Sequence, residues 1–159
     1  MPKINLFFDS SALYAGVVSP VGAARALLML AEAGRIEITI SMQVTAEVER
    51  ALLRKAPKAV PYYRQVLKSA RIRVLRDPPP QEVASYRGAL PHPADVPIAV
   101  AAMKAEVDYL VSLDRHFLGG QGAAERTGLR IGTPGDALAW VREACGEDST
   151  NPPGGGFSG

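Results

Sequence analysis

With 159 residues, 47% of them apolar and 21% charged, the chain suits one domain with a proper core, not a disordered or collagenous protein. No uncharged apolar run reaches the roughly 18 residues of a spanning helix. The opening Met1 to Asn5 carries no signal-peptide core, and a single cysteine, Cys145, excludes an internal disulfide, so a cytoplasmic location and no membrane association are expected.

Charge is unevenly spread. From Arg50 to Arg76 the chain has nine Lys or Arg and no acid, which against a total of +2 leaves −7 elsewhere. Such a segment is either a solvated helical face or a surface that attracts the phosphates of RNA or DNA.

In chain order, Lys3 to Phe8 reads as a short buried strand, and the run from Ser10 opens a helix that Ser10 or Ser11 can cap. Ser19 to Gly34 gives a second helix, with Pro20 near its start and Gly34 just past its end. Arg35 to Ser41 alternates and is rich in β-branched residues, a strand. Met42 to Ala56 is amphipathic, with Val44, Val48, Ala51 and Leu52 on one stripe. Pro57 breaks it, and Lys58 to Ala70 starts another helix. Arg71 to Leu75 is a strand, Asp77 to Pro80 a turn, and Gln81 to Leu90 a helix. His92 to Glu106 opens at a turn and continues as an apolar helix. Asp108 to Asp114 is a strand, Arg115 to Gly120 one helical turn, Leu129 to Gly132 a last strand, and Thr133 to Ala144 a final helix. Residues 1–145 thus form one domain, and residues 146–159, rich in Gly, Pro, Ser and Thr, read as a disordered tail.

Strands alternating with helices imply βα crossovers. The expected fold is a three-layer α/β/α sandwich with a mostly parallel sheet, whose ligands bind beyond the carboxyl ends of the strands.

Four acids can approach that edge. Asp9 closes the first strand, Asp114 closes the strand from Asp108, Asp95 stands before the apolar helix, and Glu47 lies one to two turns into the helix after Ser41. Each has a plain structural role open to it. Asp9, Asp114 and Asp95 can cap helices, and Glu47 can pair with Arg50 at i+3. Together they would repel one another, which a divalent cation relieves, and an all-oxygen set favours Mg²⁺ or Mn²⁺ over zinc. The two histidines, His92 and His116, have no paired metal spacing, and Cys145 at a helix end is no strong nucleophile candidate.

The stretch "FFDSSALYAGVVSPVGAARALLMLAEAGRIEITISMQVTAEVER" resembles the first third of a PIN-domain protein, closest to the toxins of bacterial toxin–antitoxin systems. "HPADVPIAVAAMKAEVDYLVSLDRHFL" resembles the family's second half, and "IGTPGDAL" its closing segment, so the resemblance runs from about Asn5 to Val141. It implies metal-dependent hydrolysis of RNA phosphodiesters. Carried over by position, the catalytic and metal-binding acids would be Asp9, Glu47, Asp95 and Asp114, with Mg²⁺ or Mn²⁺ as cofactor. Implied partners are RNA, an antitoxin protein and a second copy in a homodimer. Ser10 and Ser11 stand where the family often has Thr followed by Asn or Ser, and Ser112 stands where Thr is common. Asp108, at the other end of its strand, and Asp136, after "TPG", are left out of the site.

Within that reading, the basic segment would hold the RNA backbone, Tyr62 and Tyr63 are candidates to stack on a base, and Arg115 to meet a phosphate. Three alternatives stay open. One is a catalytically inactive PIN-type module that binds RNA or protein. An aspartyl-phosphate or receiver-like domain lacks its Asp-x-Asp or late Lys here. A Rossmann-type nucleotide binder is weak because Gly119, Gly120 and Gly122 miss the fingerprint spacing.

Overall fold

A computed structural model describes residues 3–118 and 123–146. Five strands, β1 (Asn5–Phe8), β2 (Glu37–Ser41), β3 (Arg73–Leu75), β4 (Tyr109–Val111) and β5 (Ile131–Gly132), form one sheet in the order β3-β2-β1-β4-β5. Every pairing is parallel. Consecutive strand residues point to opposite faces, yet Leu6, Phe7 and Phe8 are all buried, as are Leu110 and Val111. Both faces are therefore covered by helices, as a parallel sheet requires. The fold is the expected α/β sandwich, with a sheet parallel throughout.

The helices are α1 (Ser10–Val18), α2 (Ala23–Glu32), α3 (Met42–Lys55), α4 (Val60–Ser69), α5 (Pro80–Ala84), α6 (Val96–Lys104), α7 (Arg115–Leu118), α8 (Ala123–Thr127) and α9 (Pro134–Gly146). α1 packs on α2 and α3, and α2 on α9, whereas α6 packs on α5 and α8. Gly16 lets α1 and α2 approach closely, since a Cβ there would lie 2.8 Å from Leu28 Cδ1. α6 is apolar nearly all round, with Val96 and Ile98 to Ala102 buried, which marks a helix enclosed by the sheet and other helices. No single helix among the described residues is long and apolar enough to cross a membrane; α1 and α2 pass that test only as a pair, and they meet at 87°.

Several boundaries differ from the sequence reading. Pro20 lies outside α2, which begins after Gly22. The helix expected over Gln81 to Leu90 ends at Ala84, and the following turns include Gly88 at a φ of 85°. α8 falls in a glycine-flanked stretch that gave no periodic signal. Of the expected tail, Gly146 belongs to α9 and the remainder lies outside the described residues.

The strand order reverses direction beside β1. Successive strands β1, β2 and β3 step one way across the sheet, and β4 and β5 lie on the other side of β1. Open α/β sheets present a crevice at such a reversal, outside the carboxyl ends of the two strands. Here those ends lead into Asp9 and Asp114.

Candidate active site at the carboxyl edge of the sheet

Asp9 follows β1 directly, and its N–H bonds the Val111 carbonyl of β4 at 3.0 Å, so the β1–β4 pairing fixes its backbone. Its side chain is 3% exposed. Oδ1 accepts the Ala12 N–H at 2.9 Å, capping α1, and the Ser11 hydroxyl at 2.7 Å. Oδ2 accepts the Ser112 hydroxyl. Burial raises the Asp9 pKa above its ordinary value; the bonds from Ser112, Ala12 and Ser11 oppose that rise, and the charge of Asp114 adds to it. Asp9 is thus both a helix cap and a buried carboxyl with a second acid in its field.

The same two serines order the strand end that carries Asp114. The Ser112 hydroxyl accepts the Asp114 N–H, and the Ser11 hydroxyl accepts the Leu113 N–H, each at 2.9 Å. Ser11 therefore links the two strand ends through its hydroxyl.

Glu47 lies on α3, half-buried. It accepts the Ser10 hydroxyl on Oε1 at 2.8 Å and the Gln43 amide on Oε2 at 3.0 Å. It is not ion-paired with Arg50. Gln43 also donates to the Ala94 carbonyl at 3.1 Å, which ties α3 to the turn carrying Asp95. Asp95 precedes α6 in a helical backbone conformation, and its side chain makes no capping bond to that helix. The capping role open to it from sequence is not the one it takes.

The edge therefore gathers Asp9 and Asp114 at the strand ends, with Glu47 and the Asp95 turn attached to them through Ser10 and Gln43. The four acids do not close into one ring: among the described residues no group of three or more His, Cys, Asp or Glu side chains is placed to hold a metal ion. Ca²⁺ takes six to eight oxygens, whereas Mg²⁺ is typically held by one or two carboxylates with waters and substrate phosphates. A buried carboxylate beside a second one, with hard oxygen donors throughout, fits the latter.

The acids set aside are accounted for. Asp108 accepts the Asn5 N–H at the opposite end of the sheet. Asp136 and Thr133 exchange backbone-to-side-chain bonds of 3.1 and 3.0 Å in a reciprocal cap of α9.

One other expectation is corrected. Tyr63 is 1% exposed and bonds Glu49, and Tyr62 lies beneath the Arg25 guanidinium at 4.1 Å, so neither ring is presented for base stacking. Both complete the packing of α4 against the body of the domain. All nine cations of the basic segment are exposed and none forms an ion pair among the described residues. They lie on α3, α4 and β3 and in the segments flanking them. Arg115, at the start of α7, is exposed next to Asp114.

Two residues escaped the sequence reading. Gln43 had a signal, because it stands four before Glu47 on the same helix face. Asp77 had none: it caps the Gln43 N–H at 2.8 Å from 34 residues away.

A family model described as "PIN domain" matches residues 5–116. Among solved structures, the chain is similar to PAE2754 from Pyrobaculum aerophilum at 24% identity and a TM-score of 0.64, covering 88% of this chain and 90% of that one. It is also similar to VapBC2 from Rickettsia felis, crystallised bound to a DNA fragment from their promoter, at 15% identity and a TM-score of 0.56, covering 82% and 98%. No curated protein sequence matches.

Proposed function

The chain belongs to the PIN-domain family, whose members are generally nucleases, and on that premise we propose that it is a metal-dependent endoribonuclease acting as the toxin of a toxin–antitoxin pair. The observation that carries this reading is Asp9. A carboxyl is costly to bury, and here it sits at the strand-order reversal facing a second acid, where a cap alone needs no such company.

In this reading Asp9, Asp95 and Asp114 would hold Mg²⁺, or Mn²⁺, with Glu47 beside them. The cation, when bound, neutralises the scissile phosphate and acidifies water. Ser11 and Ser112 fix the rotamer of Asp9 and the backbone of Asp114 before substrate arrives, so little reorganisation is left to the transition state. Glu47 orients the attacking water and takes its proton; each of its oxygens accepts one bond in the structure and keeps a lone pair for that purpose. Arg115 and the exposed cations of α3, such as Arg50, draw in the RNA backbone.

The structural similarity to VapBC2 supports, as part of the proposal, an antitoxin protein as partner; a homodimer and a cytoplasmic setting complete it. The test is a calorimetric Mn²⁺ titration alongside cleavage of single-stranded RNA, comparing wild type with Asp9→Asn. Metal binding and cleavage in the wild type, both lost in the variant with folding retained, are expected. RNA binding with neither metal uptake nor cleavage would identify an inactive PIN-type binding module instead.

A further inference from the structure

We propose that a proline-walled groove beside the acids receives one nucleobase of the bound RNA strand; that the ligand is RNA rests on the nuclease reading. The groove has a volume of about 660 Å³ and lies between α5 and the segment leading into α6. That is within the usual range of small-ligand sites, ~300–1,000 Å³. Pro78, Pro80, Pro91, Pro93 and Pro97 line it, together with Val83 and Leu90.

The groove is preformed. Proline fixes its own φ, so five of its lining residues have little backbone freedom to lose. The Arg126 guanidinium donates to the Gly88 and Ala89 carbonyls, both at 3.2 Å, pinning the turn after α5 from α8. Lys104 and Glu82 join α6 to α5 at 2.9 Å, and Asp77 is tied to the Gln43 N–H. A rigid cavity costs little to order on binding.

Its chemistry matches a flat ring with polar edges. The walls are apolar, and the polar side chains lining the groove are Gln43, Asp77 and Arg87. Asp77 spends Oδ1 on the Gln43 N–H, leaving Oδ2 to accept from an exocyclic amino group. Arg87 is exposed, with no salt bridge among the described residues, and offers a cation to the flanking phosphate.

Position links the groove to the acids. Gln43 lines it and bonds both Glu47 and the Ala94 carbonyl, while Pro93 and Val96 bracket Asp95. A strand whose phosphate meets the acids carries a neighbouring base to the groove mouth.

The test uses fluorescence anisotropy in EDTA and low salt, so that no cleavage intervenes. The probe is a labelled single-stranded RNA hexanucleotide, with a single abasic site moved along it. Wild type should lose about tenfold in affinity at one abasic position. Ala84→Trp, which fills the groove from an exposed position, should lose the same on intact RNA and cease to distinguish the abasic probe, with Mn²⁺ titration unchanged. If the tryptophan variant does not fold, Ala84→Leu carries the same expectation at smaller size. Equal affinity for every abasic probe in wild type, or undiminished discrimination in the variant, overturns the proposal. So does a variant that keeps RNA binding but loses a copurifying antitoxin, which would make the groove a peptide site. A protein that passes this test but never cleaves keeps the groove and loses the nuclease reading; one that cleaves and fails it does the reverse.

Discussion

The two ends of the central strands carry the same residue type in opposite circumstances. At the amino end, Asp108 is exposed and accepts one bond, from the Asn5 N–H. At the carboxyl end, Asp9 is buried, accepts three, and is held above the ordinary carboxyl range by burial and by Asp114. The chemistry of the side chain is common to both; the end of a parallel sheet on which it stands decides whether it is solvated or concentrated. A sheet whose strands all run one way has inequivalent rims: the amino rim leaves Glu37 and Asp108 exposed, whereas the carboxyl rim buries Asp9 among serines at the strand-order reversal.

The largest test of this contrast is alanine replacement at both positions. Asp9→Ala should cut RNA cleavage on the order of 10²–10³-fold, as loss of a preorganised charge-stabilising group does, whereas Asp108→Ala should leave the rate unchanged. Equal effects at the two ends would remove the distinction. Next, Gln43→Ala should lower turnover about tenfold by releasing Glu47 from one of its two anchors, with circular dichroism unchanged and Gln43→Glu failing to rescue.

A subtler comparison is thermal. The folded-state pKa of Asp9 is raised, so ionising it opposes folding: its own contribution to stability is greatest at low pH and is lost as pH rises from about 4 through the folded value. Asp9→Asn keeps a capping oxygen and carries no charge. Without metal it should melt a few degrees above wild type near neutrality, with the gap closing on acidification. The matching change Asp108→Asn should move neither end of that curve.

The smallest effect lies away from both rims. The Tyr63 pKa is raised by burial and by Glu49, so stability falls as pH climbs above about 10, where the unfolded phenol ionises and the folded one resists. Tyr63→Phe should soften alkaline unfolding while costing about 0.5–1.5 kcal/mol at pH 7 for the lost bond to Glu49.

Much of the fold was legible because its signals are local. Glu37 to Ser41 alternates, α3 repeats its apolar positions at helical spacing, and Pro57 ends it. α5 is shorter than its composition suggests: the helix ends at Ala84, and the turns that follow include Gly88, whose φ of 85° a glycine adopts readily. Asp9 and Asp114 could be placed at one rim from strand direction alone. Their partners could not. Asp77 meets α3 across 34 residues, and Ser112 meets Asp9 across 103, separations at which no spacing rule operates. The same limit hid the tyrosines: Tyr62 is taken up by Arg25 from another helix, a match invisible without the packing.

The pairing of β1 with β4 also sets when the protein comes into being. Asp9 obtains its hydrogen-bonded frame only once Val111 and Ser112 are beside it. At a synthesis rate of ~5–20 residues per second, the 103 residues between them delay assembly by roughly 5–20 s. A nascent chain still emerging from the ribosome therefore carries its first aspartate long before that residue has its partners, and the carboxyl edge takes its final form only when most of the domain has been made.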